Sequence, residues 1–367
     1  MTERKNIPAV ITAQAVAVLS EQRGSLVARG LAAVQESKKH ELIRNSQDAL
    51  YRQARTEFEF YRGRYVDIWR ENKDPALFSA FKIFQQLANE SYGKAYYPLS
   101  ILYGDKREIE EGKNRAQYFA QLAFDWCFAN QTNQDHELWC DLAAMYRNGF
   151  GIEQNAEQAV YWFRKAAAQG SASAQGSLGE MCGHGEGVSQ DYEEAVKWYR
   201  LAAGQSRATA QTNLGVMYCH GIGVPQDYEE AKKWFRLAVE HANVIAQINL
   251  GVMYRNGRGV PQDHKKAVKW FHKAADQGSA SAQGSLGVMY SNGEGVPQDY
   301  EEAMKWFRLA ADQGNATAQY NLGVMYRNGE GVPQDDEDAV KWFLKAAGLG
   351  NANAHEALRK LGIDWKK

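Results

Sequence analysis

The chain has 367 residues, more than one ordinary domain holds. Its 43 basic and 44 acidic side chains nearly cancel and are interspersed, which excludes a global field steering it to nucleic acid or to an anionic membrane. No stretch reaches the roughly 20 apolar residues of a spanning helix, so membrane insertion is not expected. Cys127, Cys140, Cys182 and Cys219 form no Cys-x-x-Cys pair and do not follow any repeat, so they are expected to be reduced, packed thiols rather than a zinc or disulfide framework.

Residues 1–75 read as an N-terminal helical region. Arg4 and Lys5 precede the apolar Ile7-Pro8-Ala9-Val10-Ile11, and Ala13-Gln14-Ala15 has the small-residue pattern of a cleavage site. Thr12 and Gln14 interrupt that run, however, and helical apolar spacing continues through Val16, Leu19, Leu26, Val27 and Leu31. The expectation is an uncleaved start and a cytoplasmic location, with a periplasmic or secreted one as the alternative. Tyr51, Arg55, Phe58, Tyr61, Arg62, Tyr65 and Trp69 make a second, aromatic-rich helical stripe. It suits a cap packed on the first repeat, or a separate docking module.

Residues 76–367 read as a repeat array. Over 76–135 the pattern is worn. Phe78 to Ala88 reads as a second helix, Ala95 to Tyr103 as a first helix, and Arg115 to Ala129 as its partner. Over 136–351 it is strict. Trp162, Trp198, Trp234, Trp270, Trp306 and Trp342 stand 36 residues apart, as do Leu178, Leu214, Leu250, Leu286 and Leu322. A period of this length means stacked copies of one supersecondary unit, each touching mainly its neighbours. The fold class predicted is all-α, a right-handed α/α superhelical solenoid of six regular helix-turn-helix repeats. Residues 352–362 form a C-terminal capping helix, where Arg359 and Lys360 replace the glycine and valine of earlier units and stop the stacking.

Within one unit, Ala282, Leu286 and Met289/Tyr290 share one face of a helix over about 280–290, and Tyr300, Ala303, Trp306/Phe307 and Ala310 share one over about 300–312. Asn292-Gly293-Glu294-Gly295-Val296-Pro297 turns between them. Asp299 is expected to cap the second helix, with Glu302 completing a capping box; Asp191/Glu194 and Asp227/Glu230 repeat the pair, whereas Asp263 is followed by Lys266. Gly170, Gly278, Gly314 and Gly350 suit a left-handed helix end, and Ser206 and Ala242 in that slot predict slightly different turns. Gly179, Gly215, Gly251, Gly287 and Gly323 sit inside first helices, which predicts close approach of a neighbouring helix. The tryptophans are expected to fill the remaining core, each indole removing roughly 150–250 Å² from water.

The recurring Ala-x-Ala-Gln-x-x-Leu-Gly-x-Met-Tyr, Asn-Gly-x-Gly-Val-Pro-Gln-Asp and Tyr-Glu-Glu-Ala-x-Lys-Trp-Phe-x-x-Ala-Ala closely resemble the Sel-one-like repeat family, relatives of tetratricopeptide repeats with a longer inter-helix loop. The resemblance covers about 76–361. It implies an α/α superhelix that binds proteins or peptides, often as an adaptor in bacterial signalling, envelope or host-interaction systems. Some bacterial relatives are exported with a disulfide in every repeat, and this chain lacks those paired cysteines.

In tetratricopeptide proteins the first helix of each pair lines the concave groove. By position, the resemblance puts Asn213, Asn249 and Asn321 there, before the Leu-Gly pair, where asparagine often bonds a peptide backbone or carboxylate. Ile245, Ile248 and Tyr320 are bulky at positions where other units have Ser, Thr or Gly, and Arg147, Arg255 and Arg327 lie near the ends of their helices. Ser177 and Ser285 interrupt the asparagine ladder. The asparagines could equally bond local backbone, and the arginines could be solvated. Val216, Val252, Val288 and Val324 either floor the groove or pack between units.

No catalytic, metal or cofactor motif is found. His184 and His220 recur once and then give way to asparagine, the Gly-x-Gly loops lack a following lysine, and the acidic loops fall short of a calcium pattern. The function expected is a non-enzymatic interaction scaffold with a protein or peptide partner on the concave face. The alternatives are a regulatory or substrate-holding subunit of an enzyme complex and a structural component of a bacterial envelope assembly.

Overall fold

The 36-residue period becomes a helix–loop–helix unit because each end of each helix is specified chemically. A computed structural model describes residues 36, 39–56, 75–104, 110–132 and 134–363. Residues 1–31, with the cleavage-site pattern, and Phe58, Tyr61, Arg62, Tyr65 and Trp69 of the aromatic stripe lie outside these. Among the described residues every regular element is helical. The unit read as about 280–290 and 300–312 consists of helices Ala280–Asn292 and Tyr300–Asp312.

First helices start at Ser171, Asn243, Ser279, Asn315 and Asn351, whose side chains accept the backbone N–H three residues on. Arg207 occupies that place once and caps nothing. Second helices start at Asn155, Asp191, Asp227, Asp263, Asp299 and Asp335, as in Asp299 Oδ1 accepting from Glu302 N at 2.9 Å. The reciprocal half of the expected capping box does not form. The N–H of Asp299 is already bonded to Tyr290 O at 2.9 Å, and Glu302 pairs with Lys305 instead. The same N–H closes on the first helix at Asp191, Asp227, Asp263 and Asp335, so a carboxylate three residues on has no donor left to meet.

The two loop glycines have separate reasons. Gly293 and Gly295 both have positive φ, 70° and 75°. A β-carbon on Gly295 would also stand 2.4 Å from the carbonyl carbon of His264, because each loop seats on the start of the preceding unit's second helix. Ser206 and Ala242 keep the same kind of turn, slightly altered, where Gly170, Gly278, Gly314 and Gly350 have φ of 80–85°. They take φ 62° and 54°, the same left-handed state as the glycines of the other units, held there by the bonds that close the helix end.

By contact the chain divides into two compact units, Met1–Gln134 with Ala144–Gln154, and Asp135–Ala143 with Asn155–Lys367. In the first, Tyr51 and Ala54 of the helix over 39–56 share an apolar cluster with Phe81, Phe84 and Leu87 of helix Pro75–Asn89 and with Leu99 and Leu102 of helix Tyr96–Gly104. Helix Glu110–Ala129 packs on Tyr96–Gly104.

In the second unit each core cluster joins the second helix of one repeat to the first helix of the next: Ala231, Phe235 and Ala238 meet Ala246, Leu250 and Met253, and Ala303, Phe307 and Ala310 meet Ala318, Leu322 and Met325. The residue that fills the core is the one after each tryptophan. Phe235, Phe271, Phe307 and Phe343 are fully buried, whereas Trp198, Trp234, Trp270, Trp306 and Trp342 are half-buried and only Trp162 is buried. Each recurring glycine of a first helix faces that buried ring. A β-carbon on Gly215 would lie 2.6 Å from Phe235, so a ring of the same unit, not a neighbouring helix backbone, needs the space. The tryptophans pack backward, Trp306 on the cluster of Phe271 and Trp342 on that of Phe307. Val216, Val252, Val288 and Val324 are half-buried against these clusters and so belong to the inter-helix core.

A polar thread runs through this core that the periodicity did not reveal. Gln175, Gln211, Gln247, Gln283 and Gln319 are buried. Gln175, Gln211 and Gln319 donate to the preceding second helix, at Ala167 O, Ala203 O and Ala311 O. Gln175, Gln247 and Gln283 accept from Gln205, Gln277 and Gln313 at 2.8–2.9 Å. Helix Ala352–Lys360 packs on Asp336–Gly348, with Arg359 and Lys360 exposed and paired to Glu356.

Candidate functional site: the outward stripe of the first helices

In helix Val244–Asn256 the residues Ala246, Gln247, Leu250, Gly251, Met253 and Tyr254 are buried. Helical geometry therefore leaves Ile245, Ile248, Asn249, Val252 and Arg255 on the opposite arc. The same arc carries Asn213 and Val216 on Ala208–His220, and Tyr320, Asn321, Val324 and Arg327 on Ala316–Asn328. First helices 172–184 and 208–220 touch, as do 280–292 and 316–328. Arg147, at the end of helix His136–Asn148, is half-buried and belongs to the other compact unit.

The nine residues differ in what they leave free for a ligand. Ile245 is 58% exposed. Ile248 and Tyr320 are partly used by the core, Ile248 against the cluster of Phe271 and Tyr320 with its ring 5.7 Å from that of Phe343. Asn249 Nδ2 donates to Ile245 O within its own helix at 2.9 Å, leaving its carbonyl oxygen outward. Asn213 and Asn321 are half-buried and make no hydrogen bond among the described residues. Ser285, which interrupts the ladder, bonds back to Ser281 O.

The two arginines of this unit have opposite roles. Arg327 has no carboxylate partner among the described residues and lies 5.9 Å from the Phe343 ring centre. Arg255 is held by Glu294 of the next loop, Nε to Oε2 at 2.9 Å and Nη2 to Oε1 at 3.4 Å. Asn292 Nδ2 donates to the same carboxylate at 2.8 Å, and His264 Nδ1 stands 3.7 Å from it. Burial pushes the Glu294 carboxyl up, but the bonds from Arg255 and Asn292 and the Arg255 charge outweigh it and hold the group below its ordinary range. The sequence reading missed Glu294. The available signal was spacing, since the same offset of 39 residues separates Arg147 from Glu186.

Among the described residues no three His, Cys, Asp or Glu side chains converge as a metal set, and no helix is long and apolar enough to cross a membrane. None of the four cysteines is joined in a disulfide; Cys127 and Cys182 are buried, and burial pushes the Cys182 thiol up to about 11.

The family described as Sel1 repeat matches residues 140–171, 172–206, 208–243, 244–279, 280–315 and 316–351. Among solved structures the chain is similar to a Sel1 repeat protein from Oxalobacter formigenes, at 34% identity over 62% of this chain and 92% of that one, with a TM-score of 0.59. It is also similar to c5321, a protective antigen of uropathogenic Escherichia coli strains with an SLR fold, at 30% identity over 86% of this chain and 67% of that one, with a TM-score of 0.59. No curated protein matches the chain.

Proposed function

Because the chain belongs to the Sel1 repeat family, we propose that it is a non-catalytic scaffold that holds a protein or peptide segment along the outward stripe of its first helices. Sel1 repeats generally mediate protein–protein interactions, and the family is generally non-catalytic. The observation that carries the finer reading is Ile245. A bulky apolar side chain, 58% exposed, stands where neighbouring units have Thr209, Ser281 and Thr317. Asn249 extends the same arc, and the amides of Asn213 and Asn321 are open to a backbone laid across them. We assign the work to the cytoplasm, which buried thiols outside any disulfide support.

The test uses the full chain. Partners are recovered by affinity purification, identified by mass spectrometry and titrated calorimetrically. Ile245→Ser with Asn249→Ala is expected to weaken the recovered partner at least tenfold, about 1.4 kcal/mol, with the melt unchanged. Glu301→Ala with Lys305→Ala, on a second helix, is the control. Loss of affinity in the control pair alone would overturn the assignment.

A second reading makes the array a displayed or envelope component, and the similarity to the protective antigen c5321 favours it. Recovery of the mature chain with a cleaved N-terminus, outside the cytoplasm, would select this reading.

A further inference from the structure

A cleft of about 570 Å³ opens on the other side of the array, along the second helix Ala156–Ala168. Val160, Tyr161, Arg164, Lys165 and Ala168 line it from that helix, and Val188 from the loop of the next repeat. Three departures from the repeat coincide here. Ala156 stands where later units have Tyr192, Tyr228, His264 and Tyr300, which removes a ring beside the loop. Tyr161, 49% exposed, stands where they have the exposed Lys197, Lys233, Lys269, Lys305 and Lys341. Ala168 stands where three of them have Glu240, Asp276 and Asp312, which removes an acid beside the cation.

The charge in the cleft is lopsided. Lys165 Nζ lies 4.6, 5.0 and 5.5 Å from the ring centres of Trp162, Tyr161 and Trp139. It makes no ion pair among the described residues. Arg164 is already tied to Glu194 at 3.3 Å. Glu157 lies at the start of the helix, two turns from Lys165. Lys273 and Lys345 also stack on their tryptophans, at 4.5 and 4.1 Å, but only the first repeat adds the exposed tyrosine and the two alanines.

From this we infer that the cleft along Ala156–Ala168 is a second docking site, which takes a peptide segment bearing an apolar side chain followed by a carboxylate. The apolar group rests on Val160, Ala168 and Val188. The carboxylate meets the open side of Lys165, whose other side is covered by rings, so the pair forms partly out of water, where it counts for more. The site lies on a second helix, so its failure leaves the first-helix reading intact.

The probe is the peptide Gly-Gly-Leu-Phe-Asp-Glu amide, titrated calorimetrically into the full chain beside its neutral counterpart Gly-Gly-Leu-Phe-Asn-Gln amide. The acidic peptide is expected to bind with a dissociation constant below about 1 mM, an affinity of about 4 kcal/mol, and the neutral one at least tenfold more weakly. Lys165→Gln is expected to remove that difference. Tyr161→Gln removes the ring at an exposed position without adding a charge and is expected to weaken the acidic peptide at least tenfold. Lys197→Gln, one repeat on, is expected to change nothing. Equal binding of the two peptides, undiminished binding in Tyr161→Gln, or no binding at millimolar peptide would overturn the proposal.

Discussion

The ring of Phe271 lies over Gly251, 2.7 Å from where a β-carbon on that glycine would stand. Alanine normally stabilises a helix interior relative to glycine by about 0.5–1 kcal/mol. Here the added methyl must displace a fully buried ring, which costs about 1–3 kcal/mol. Gly251→Ala is therefore expected to lower stability. Gly284, also inside a first helix, would place its methyl 3.7 Å from the nearest atom, so Gly284→Ala is expected to raise stability by about 0.5–1 kcal/mol. Urea titrations of the two variants with unchanged slope check the opposite signs.

The aromatic pair in each second helix has an order of importance. Phe235 is fully buried and Trp234 half-buried. Phe235→Ala is expected to cost about 3–5 kcal/mol, and Trp234→Ala distinctly less despite the larger side chain. Hydrogen exchange should show both losses confined to the units around 208–280, since each unit contacts mainly its neighbours. A larger cost at Trp234 would reverse the assignment of the core position.

Two buried carbonyls lack partners for a reason visible in the repeat. Gln283 Oε1 receives Gln313, but Gln319 Oε1 and Gln211 Oε1 are buried and unbonded, and Leu349 and His241 stand where the donor would be. Leu349 is exposed, so its side chain contributes little burial. Leu349→Gln is expected to raise stability by about 1 kcal/mol by supplying the missing N–H. The same change in a Gln319→Leu background should give no gain, which a double-mutant cycle of urea midpoints would read.

The loop carboxylate carries a pH dependence of fixed sign. Glu294 is held below its ordinary range in the folded chain. A depressed folded value means that stability is fully present above the unfolded value and is lost as pH falls through the folded one. Glu294→Gln is expected to cost about 1 kcal/mol at neutral pH. The difference from the parent should close as pH drops below the ordinary glutamate value of about 4.3. Melts at pH steps from 7 to 3 test this, and a gap that persists or widens in acid would contradict it.

The repeat boundaries were legible because period, caps and glycine turns are local features, and each copy of Asp299 or Gly293 carries its own reason. The roles of Trp234 and Phe235 were not separable in the same way. They are adjacent and share one period, and only the three-dimensional position of Gly215 decides which ring turns inward. Gln247 recurs in each unit, but recurrence alone did not mark it as buried, because a polar residue on a helix reads as surface until a neighbouring carbonyl is seen beside it. On the candidate stripe, Asn249 and Ile245 are expected in the groove because the resemblance to tetratricopeptide repeats puts the first helices there. The compensation of Arg255 depended on a loop path that brings Glu294 to it, and the 39-residue offset shared with Arg147 and Glu186 was its one trace in the sequence.

The glutamine thread runs in one sense. Gln175 accepts from Gln205, at the end of its own repeat, and gives to Ala167, in the repeat before. A junction that carries both bonds therefore has a head and a tail, and the array behaves as a row of directional cassettes. Excising residues 244–279 joins a tail to a head and leaves each amide a carbonyl to meet. A cut that is not a whole period strands half of a unit in the interior, and the short turns that precede Ala280 and its equivalents are the splice points that leave both helices of each unit uncut.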